Sequence, residues 1–209
     1  MLAVSPDDKT LFFYQSKKNG NIGYSELENS KWSRVRSLPK INSRKGRETS
    51  IAFTPDGKMV FFVSDMDYKG AIGGKDIYYC VLDSKGKYSK PVNMGATVNT
   101  PYNEDAVWVS QDGKTLYFSS KGHESMGGYD IFKTSIVNIP DWSKPENLGY
   151  PINTPDDDLY FSLSSNGKWG YLSSNREKSN GGRDIYRIIN LGAEKEFDMP
   201  SGESPAGYT

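Results

Sequence analysis

The sequence predicts an all-β protein made of four copies of one four-stranded antiparallel unit, and three observations carry that prediction. The hexapeptides GGKDIY (73–78), GGYDIF (127–132) and GGRDIY (181–186) are evenly spaced, since 130 − 76 = 54 and 184 − 130 = 54 residues separate their aspartates. No single functional loop requires such regularity, whereas a structural repeat does. The landmarks around the hexapeptide also recur in order, with TPDGKMVFFVS (54–64), SQDGKTLYFSS (110–120) and SSNGKWGYLSS (164–174) upstream and YSKPVNMG (88–95) and WSKPENLG (142–149) downstream. Finally, no long stretch places apolar residues at helical spacing without Gly, Pro or turn clusters, while 14 Tyr, 9 Phe and 4 Trp supply strand-forming bulk.

The elements of one unit follow in order from the third copy. DAVWVS (105–110) reads as a strand, QDGK as a tight turn with Gly113 free to adopt positive φ, and TLYFSS (115–120) as the returning strand. After the loop KGHESMGG, YDIFKTSI (129–136) is the third strand and DWSKPENLG (141–149) a short, proline-bearing edge strand. The N-terminal SPDDKTLFFYQ (5–15), NIGYSEL (21–27) and KWSRVRSLP (31–39) form a weaker first copy, with Asn21 where the others carry Asp. One domain, 1–190, thus divides into units of approximately 1–47, 48–103, 104–157 and 158–195, and 191–209 is either a tail or a degenerate outer strand. A sheet this small cannot bury both faces alone, so successive sheets must pack face to face about an axis as the blades of a β-propeller. Four blades either close the ring or form part of a larger one.

Charge is balanced at 26 basic against 26 acidic residues, so no global field favours nucleic acid or an anionic membrane. No apolar run is long enough to cross a bilayer, and an export signal is expected outside the chain shown. The single Cys80 reads as a small buried hydrophobe, and the only histidine, His123, falls in another repeat. No nucleophile elbow, HExxH, Cys–His zinc pattern or P-loop is present, so no enzyme, metal or cofactor is expected.

Two sets of residues stand out as candidates. Gly73, Gly74 and Asp76, with Gly127, Gly128 and Asp130 and then Gly181, Gly182 and Asp184, read as a structural staple: the glycines let the chain turn sharply and the carboxylate accepts from exposed N–H groups or hydroxyls. Calcium is the weaker reading, because it takes roughly six to eight oxygens and each loop offers one Asp. The second set is Glu48 in GRETS, Glu104 in YNEDA and Asp157 in PDDDL, each just before an innermost strand. They form either an acidic ring at one channel mouth, attractive to a basic peptide, or ordinary solvated loop charges. Asn42–Ser43, Asn99–Thr100 and Asn153–Thr154 read as turn chemistry, and Trp32, Tyr88 and Trp142 either as aromatics packed between blades or as an exposed aromatic rim for a sugar or a partner protein.

PDGK followed by an aromatic strand and GGxDI[YF] resembles the WD-like propeller repeat of the TolB type. The longer spacing with NTP between blades is similar to the propellers of Bacteroidetes envelope proteins of the OmpA-family, PorE-like architecture. That resemblance implies a periplasmic or outer-membrane-associated scaffold that binds cell-envelope proteins or peptides, linked to type IX secretion or peptidoglycan-anchored assemblies. A propeller that binds or hydrolyses glycans with channel carboxylates is the alternative.

Overall fold

A computed structural model describes residues 2–16, 20–38, 41–43, 45–66, 70–177, 179–190 and 197–198. Blade I comprises β1 (Ala3–Val4), β2 (Thr10–Gln15), β3 (Asn21–Glu28), β4 (Lys31–Trp32) and β5 (Arg36–Ser37). Blade II comprises β6 (Glu48–Phe53), β7 (Met59–Ser64), β8 (Asp76–Val81) and β9 (Val92–Asn93). In blade III β10 (Glu104–Val109), β11 (Thr115–Ser120) and β12 (Asp130–Asn138) are followed by the short β13 (Asp141–Trp142) and β14 (Glu146–Asn147). Blade IV runs β15 (Asp158–Leu163), β16 (Trp169–Ser174), β17 (Asp184–Asn190) and β18 (Phe197–Asp198). All pairings between these strands are antiparallel, and the blades are arrayed in a ring as a four-bladed β-propeller. Most of the segment 191–209 lies outside the described residues; Phe197 and Asp198 pair with Asn190 and Ile189 at the edge of blade IV.

The hairpin that opens each blade is set by local chemistry. Ser110 Oγ donates to Asp112 and accepts from Thr115 N–H at 3.0 Å, Lys114 N–H donates to Asp112 Oδ1 at 3.0 Å, and Gly113 takes φ +69°. Thr54 and Asp56 in blade II, and Ser164 and Asn166 in blade IV, repeat the arrangement. In blade I Asp8 stands where the others have glycine and adopts φ +57°, a conformation Asp tolerates better than most residues.

Face-to-face packing buries what alternation along the strands exposes on either side. Phe12, Ile22 and Ile41 of blade I meet Val60, Phe62 and Tyr78 of blade II. Phe61, Ile77 and Val98 meet Leu116, Phe118 and Phe132 at the next junction, and Ile131 and Ile152 meet Phe161, Leu172 and Ile188 at the third. Trp142 is buried against Phe61 and Tyr79, with ring centroids 5.9 and 5.3 Å away. Tyr88 is half-buried and its hydroxyl donates to Gly57 C=O at 2.8 Å, whereas Trp32 is exposed, so the inter-blade expectation fails for Trp32. Cys80 is buried in the first junction. Among the described residues no hydrophobic cluster joins blade IV to blade I.

Candidate functional site

Loops that enter the third strands converge at the axis. Asp76 Oδ2 accepts from Ile72 N–H at 2.7 Å and its Oδ1 from Gly73 N–H at 2.9 Å, while Asn93 Nδ2 on β9 donates to Oδ2 at 2.7 Å. Asp130 Oδ2 likewise accepts from Met126 N–H at 2.6 Å and Asn147 Nδ2 at 2.9 Å, and Asp184 accepts from Asn180 N–H at 2.7 Å. Each carboxylate therefore holds its loop closed, and in blades II and III it also ties the third strand to the outer one. Asn21, expected to substitute for Asp in blade I, leaves its buried Oδ1 without a partner. Among the described residues no three His, Cys, Asp or Glu side chains gather in a metal-holding group.

With the Asp held in this way, the variable residue of Gly-Gly-x-Asp is turned towards the axis. Lys75, Tyr129 and Arg183 occupy that position in blades II, III and IV, and all three line a central cavity of about 350 Å³. Thr49 and Asp105 from the inner strands and Tyr14 from blade I complete much of its wall. Lys75 Nζ donates to Asp105 Oδ2 at 2.7 Å and Thr49 Oγ1 donates to Asp105 Oδ1 at 2.7 Å, so this acid links blades II and III. Arg183 donates to Asp157 Oδ2 at 2.9 Å, and Tyr129 N–H donates to Asp157 Oδ1 at 3.0 Å. Burial alone would push the Asp157 carboxyl up, but these donors and nearby Lys121 hold it below the usual carboxylate range. Burial pushes the Tyr129 phenol up to about 12, so it stays protonated at neutral pH, with Lys121 Nζ 4.7 Å above its ring.

A β-bulge between Leu159 and Ser162 places Tyr160 at φ +57° and sends its ring into the same cavity. For a bulky aromatic this backbone conformation costs on the order of 1–3 kcal/mol, and it persists where the surroundings impose it. Ala106 adopts φ +54° at the corresponding bulge of β10. Nothing in the sequence marked these positions.

The expected acidic ring is corrected by the strand register. Glu48 pairs with Ser64, Glu104 with Ser120 and Asp158 with Ser174, so the fourth-blade equivalent is Asp158 and not Asp157. Glu48, Glu104 and Asp158 are each 0% exposed, and none of Glu48, Glu104 and Asp157 lines the central cavity. Glu104 instead accepts from Thr100 N–H at 3.1 Å, Thr100 Oγ1 at 2.7 Å and Ser120 Oγ at 2.9 Å, and burial without a cation raises its carboxyl to about 7. Burial also pushes Glu48 up; it accepts from Ser64 Oγ at 3.0 Å and Ser43 N–H at 3.3 Å, and its Oε2 has no partner. Asp158 accepts from Thr154 and forms a 2.7 Å ion pair with Arg176. These acids close blade connections from within.

The Asn–Thr pairs do more than turn the chain. Asn99 Oδ1 accepts from Ile77 N–H at 2.8 Å while Nδ2 donates to Ile77 C=O at 2.9 Å, so a side-chain amide replaces a neighbouring strand's peptide group. Asn153 does the same to Ile131 at 2.7 and 2.9 Å, and Asn42 to Ile22 at 2.9 and 2.6 Å. His123 lies against Phe118 and Phe132 with Nε2 2.7 Å from Val98 C=O, a packing role.

No family model and no curated protein sequence matches the chain. Its fold is similar to that of solved TolB-type propellers. For TolB from Acinetobacter baumannii the TM-score is 0.59 at 21% identity, over 94% of this chain and 41% of that one. For a putative TolB from Agrobacterium tumefaciens it is 0.56 at 18% identity, over 96% of this chain and 60% of that one. The periplasmic gluconolactonase PpgL of Pseudomonas aeruginosa is similar at a TM-score of 0.51 and 14% identity, over 99% of this chain and 57% of that one. The chain thus spans less than two thirds of each of these proteins, and enzymes and TolB proteins share its scaffold. No helix among the described residues is long and apolar enough to cross a membrane.

Proposed function

We propose that this chain is a non-catalytic binding propeller of a bacterial cell-envelope protein, periplasmic or outer-membrane-associated, which holds a protein or peptide at the mouth of its central cavity. The observation that carries the reading is that the variable position of Gly-Gly-x-Asp, filled by Lys75, Tyr129 and Arg183, lines that cavity while the aspartate holds the loop. A repeat that keeps its frame and varies one inward residue suits recognition. Proton-transfer chemistry is poorly served, because Asp105 is held by Lys75 and Thr49, and Asp157 by Arg183. The motif resemblance points to partners in type IX secretion or peptidoglycan-anchored assemblies. Three tyrosines at the cavity, Tyr14, Tyr129 and Tyr160, favour a glycan as the second reading, since aromatic faces stack on sugar rings.

Affinity capture from native envelope extract, comparing the chain with a Lys75→Glu, Arg183→Glu variant of unchanged melting curve, tests the assignment. A defined protein retained by the first and lost by the second is the expected result. Equal retention by both removes the cavity as the site, and loss of capture on adding soluble oligosaccharides selects the glycan reading.

A further inference from the structure

The side chains that the repeat turns towards the axis all end in hydrogen-bond donors. Lys75, Tyr129 and Arg183 fill the variable position of blades II, III and IV. In blade I the residue before Asn21 is Gly20, and a Cβ there would lie 2.8 Å from the Tyr14 hydroxyl, so a phenol takes the space that a side chain would fill. Tyr160 brings a third phenol from its bulge. Burial pushes the Tyr129 and Tyr160 phenols up, so both keep their protons at neutral pH. An ammonium carries three N–H donors and a guanidinium five. Lys75 Nζ uses one on Asp105 and Arg183 one on Asp157, which leaves both cations with donors to spare.

The acceptors nearby are already engaged. Asp105 Oδ2 takes Lys75, and its Oδ1 takes both Thr49 Oγ1 and the Ala106 N–H, the latter at 2.9 Å. Asp157 Oδ1 takes the Tyr129 N–H and its Oδ2 takes Arg183. Both carboxylates therefore serve the frame, and what the frame leaves over is donor capacity. Lys121, over the Tyr129 ring, adds a further cation at the rim, so Lys75, Lys121 and Arg183 stand against two carboxylates. Leu2, Leu159 and the tyrosine rings supply an apolar wall beside these donors. At about 350 Å³ the cavity is at the small end of ligand pockets, suited to the end of a chain and not to a loop that must enter and leave.

We infer that the cavity takes the carboxylate terminus of a peptide, with the carboxylate bound by Lys75 and Arg183 and the last side chain, apolar or aromatic, against Leu159 and the tyrosine rings. A carboxylate only accepts, so it complements a lining whose spare groups donate, and its bonds to an ammonium and a guanidinium are charge-assisted. A terminal residue brings the anion and the apolar side chain together in one small unit, whereas an internal Asp or Glu would need a neighbouring residue for the second. The inference rests on the reading of the chain as a peptide-binding propeller and specifies which part of the partner enters it.

The test is a ligand-observed NMR titration of the full chain with N-acetyl-phenylalanine, its C-terminal amide, and N-acetyl-phenylalanyl-glutamate α-amide, which carries its carboxylate on a side chain. Saturable binding of the free acid in the millimolar range or tighter is expected, with the amide weaker by about tenfold or more, as befits lost hydrogen bonds to charged groups. Arg183→Gln, at a half-exposed side chain, should bring the acid down to the amide's affinity and leave the amide's unchanged, a selectivity that loss of folding would not produce. Equal affinity of acid and amide, or no saturable binding of the acid, overturns the inference. Tighter binding of the glutamate probe also overturns it, by assigning the donors to an acidic side chain. A partner protein captured through Lys75 and Arg183 that binds equally well after amidation of its C-terminus would leave the binding propeller standing and remove the terminus alone.

Discussion

Blades III and IV are built from nearly the same sequence pattern, yet one is enclosed on both faces and the other on one. Ile131 is fully buried and Ile185 is 78% exposed; a Cβ at Gly128 would lie 2.2 Å from Asp157 Oδ1, and one at Gly182 would touch nothing. Glu104 and Asp158, which occupy the same place, are both buried, but only Asp158 has a cation, Arg176. The difference teaches that the repeat encodes both halves of a junction in every copy, and that neighbours decide which half is used. A glycine required for close approach in one blade is conformational surplus in the next.

The largest effect that would break this comparison is steric. Gly127→Val should destabilise the fold by about 3 kcal/mol, because its Cβ would lie 1.9 Å from the backbone carbonyl of Pro155, whereas Gly182→Val, whose Cβ meets nothing, should stay within about 0.5 kcal/mol. Urea unfolding of the two variants checks the contrast, and equal effects would show that the junctions are equivalent after all.

Charge sharpens it next. Glu104, raised from an ordinary 4.5 to about 7 by burial, binds its proton more tightly folded than unfolded. Its contribution is therefore fully present below about pH 4.5 and is lost as pH rises through about 7, by up to about 3 kcal/mol. Glu48, also raised by burial, adds in the same direction. Stability measured across this window should fall more steeply for the native chain than for Glu104→Gln; parallel profiles would mean that Glu104 does not titrate differently on folding.

The smallest contrast lies in the staples. Asp130→Ala removes acceptors for Met126 N–H and the Asn147 carboxamide and should cost about 1–3 kcal/mol, seen as a lowered melting temperature. Asp184→Ala removes one acceptor at an exposed loop and should cost less than about 1 kcal/mol. An unchanged melting curve for Asp130→Ala would reject the stapling role.

How much of this was legible depends on whether a residue's partner is local. The hairpin turns were readable because Ser110, Asp112 and Gly113 satisfy one another within a few residues. Asn99 looked like turn chemistry because its true partner, Ile77, lies 22 residues upstream on β8. PDDDL offers three consecutive acids, and only the pairing of Asp158 with Ser174 shows which one is equivalent to Glu104. A one-residue slip moves a side chain to the opposite face of a strand, so register misplaced the fourth-blade acid, and burial of Glu48, Glu104 and Asp158 away from the cavity removed the ring itself.

By itself the sequence determined the all-β class, the four-fold repetition, and the hairpins with their turn glycines such as Gly113, since these follow from backbone conformation and from spacing along the chain. Only the tertiary structure decided that the variable motif residues line the cavity, that Glu48 and Glu104 are sealed inside, and that Ile185 alone of its set meets water. Orientation and burial are properties of what lies across a junction, and a repeat written identically in each blade cannot specify which of its copies will have a neighbour.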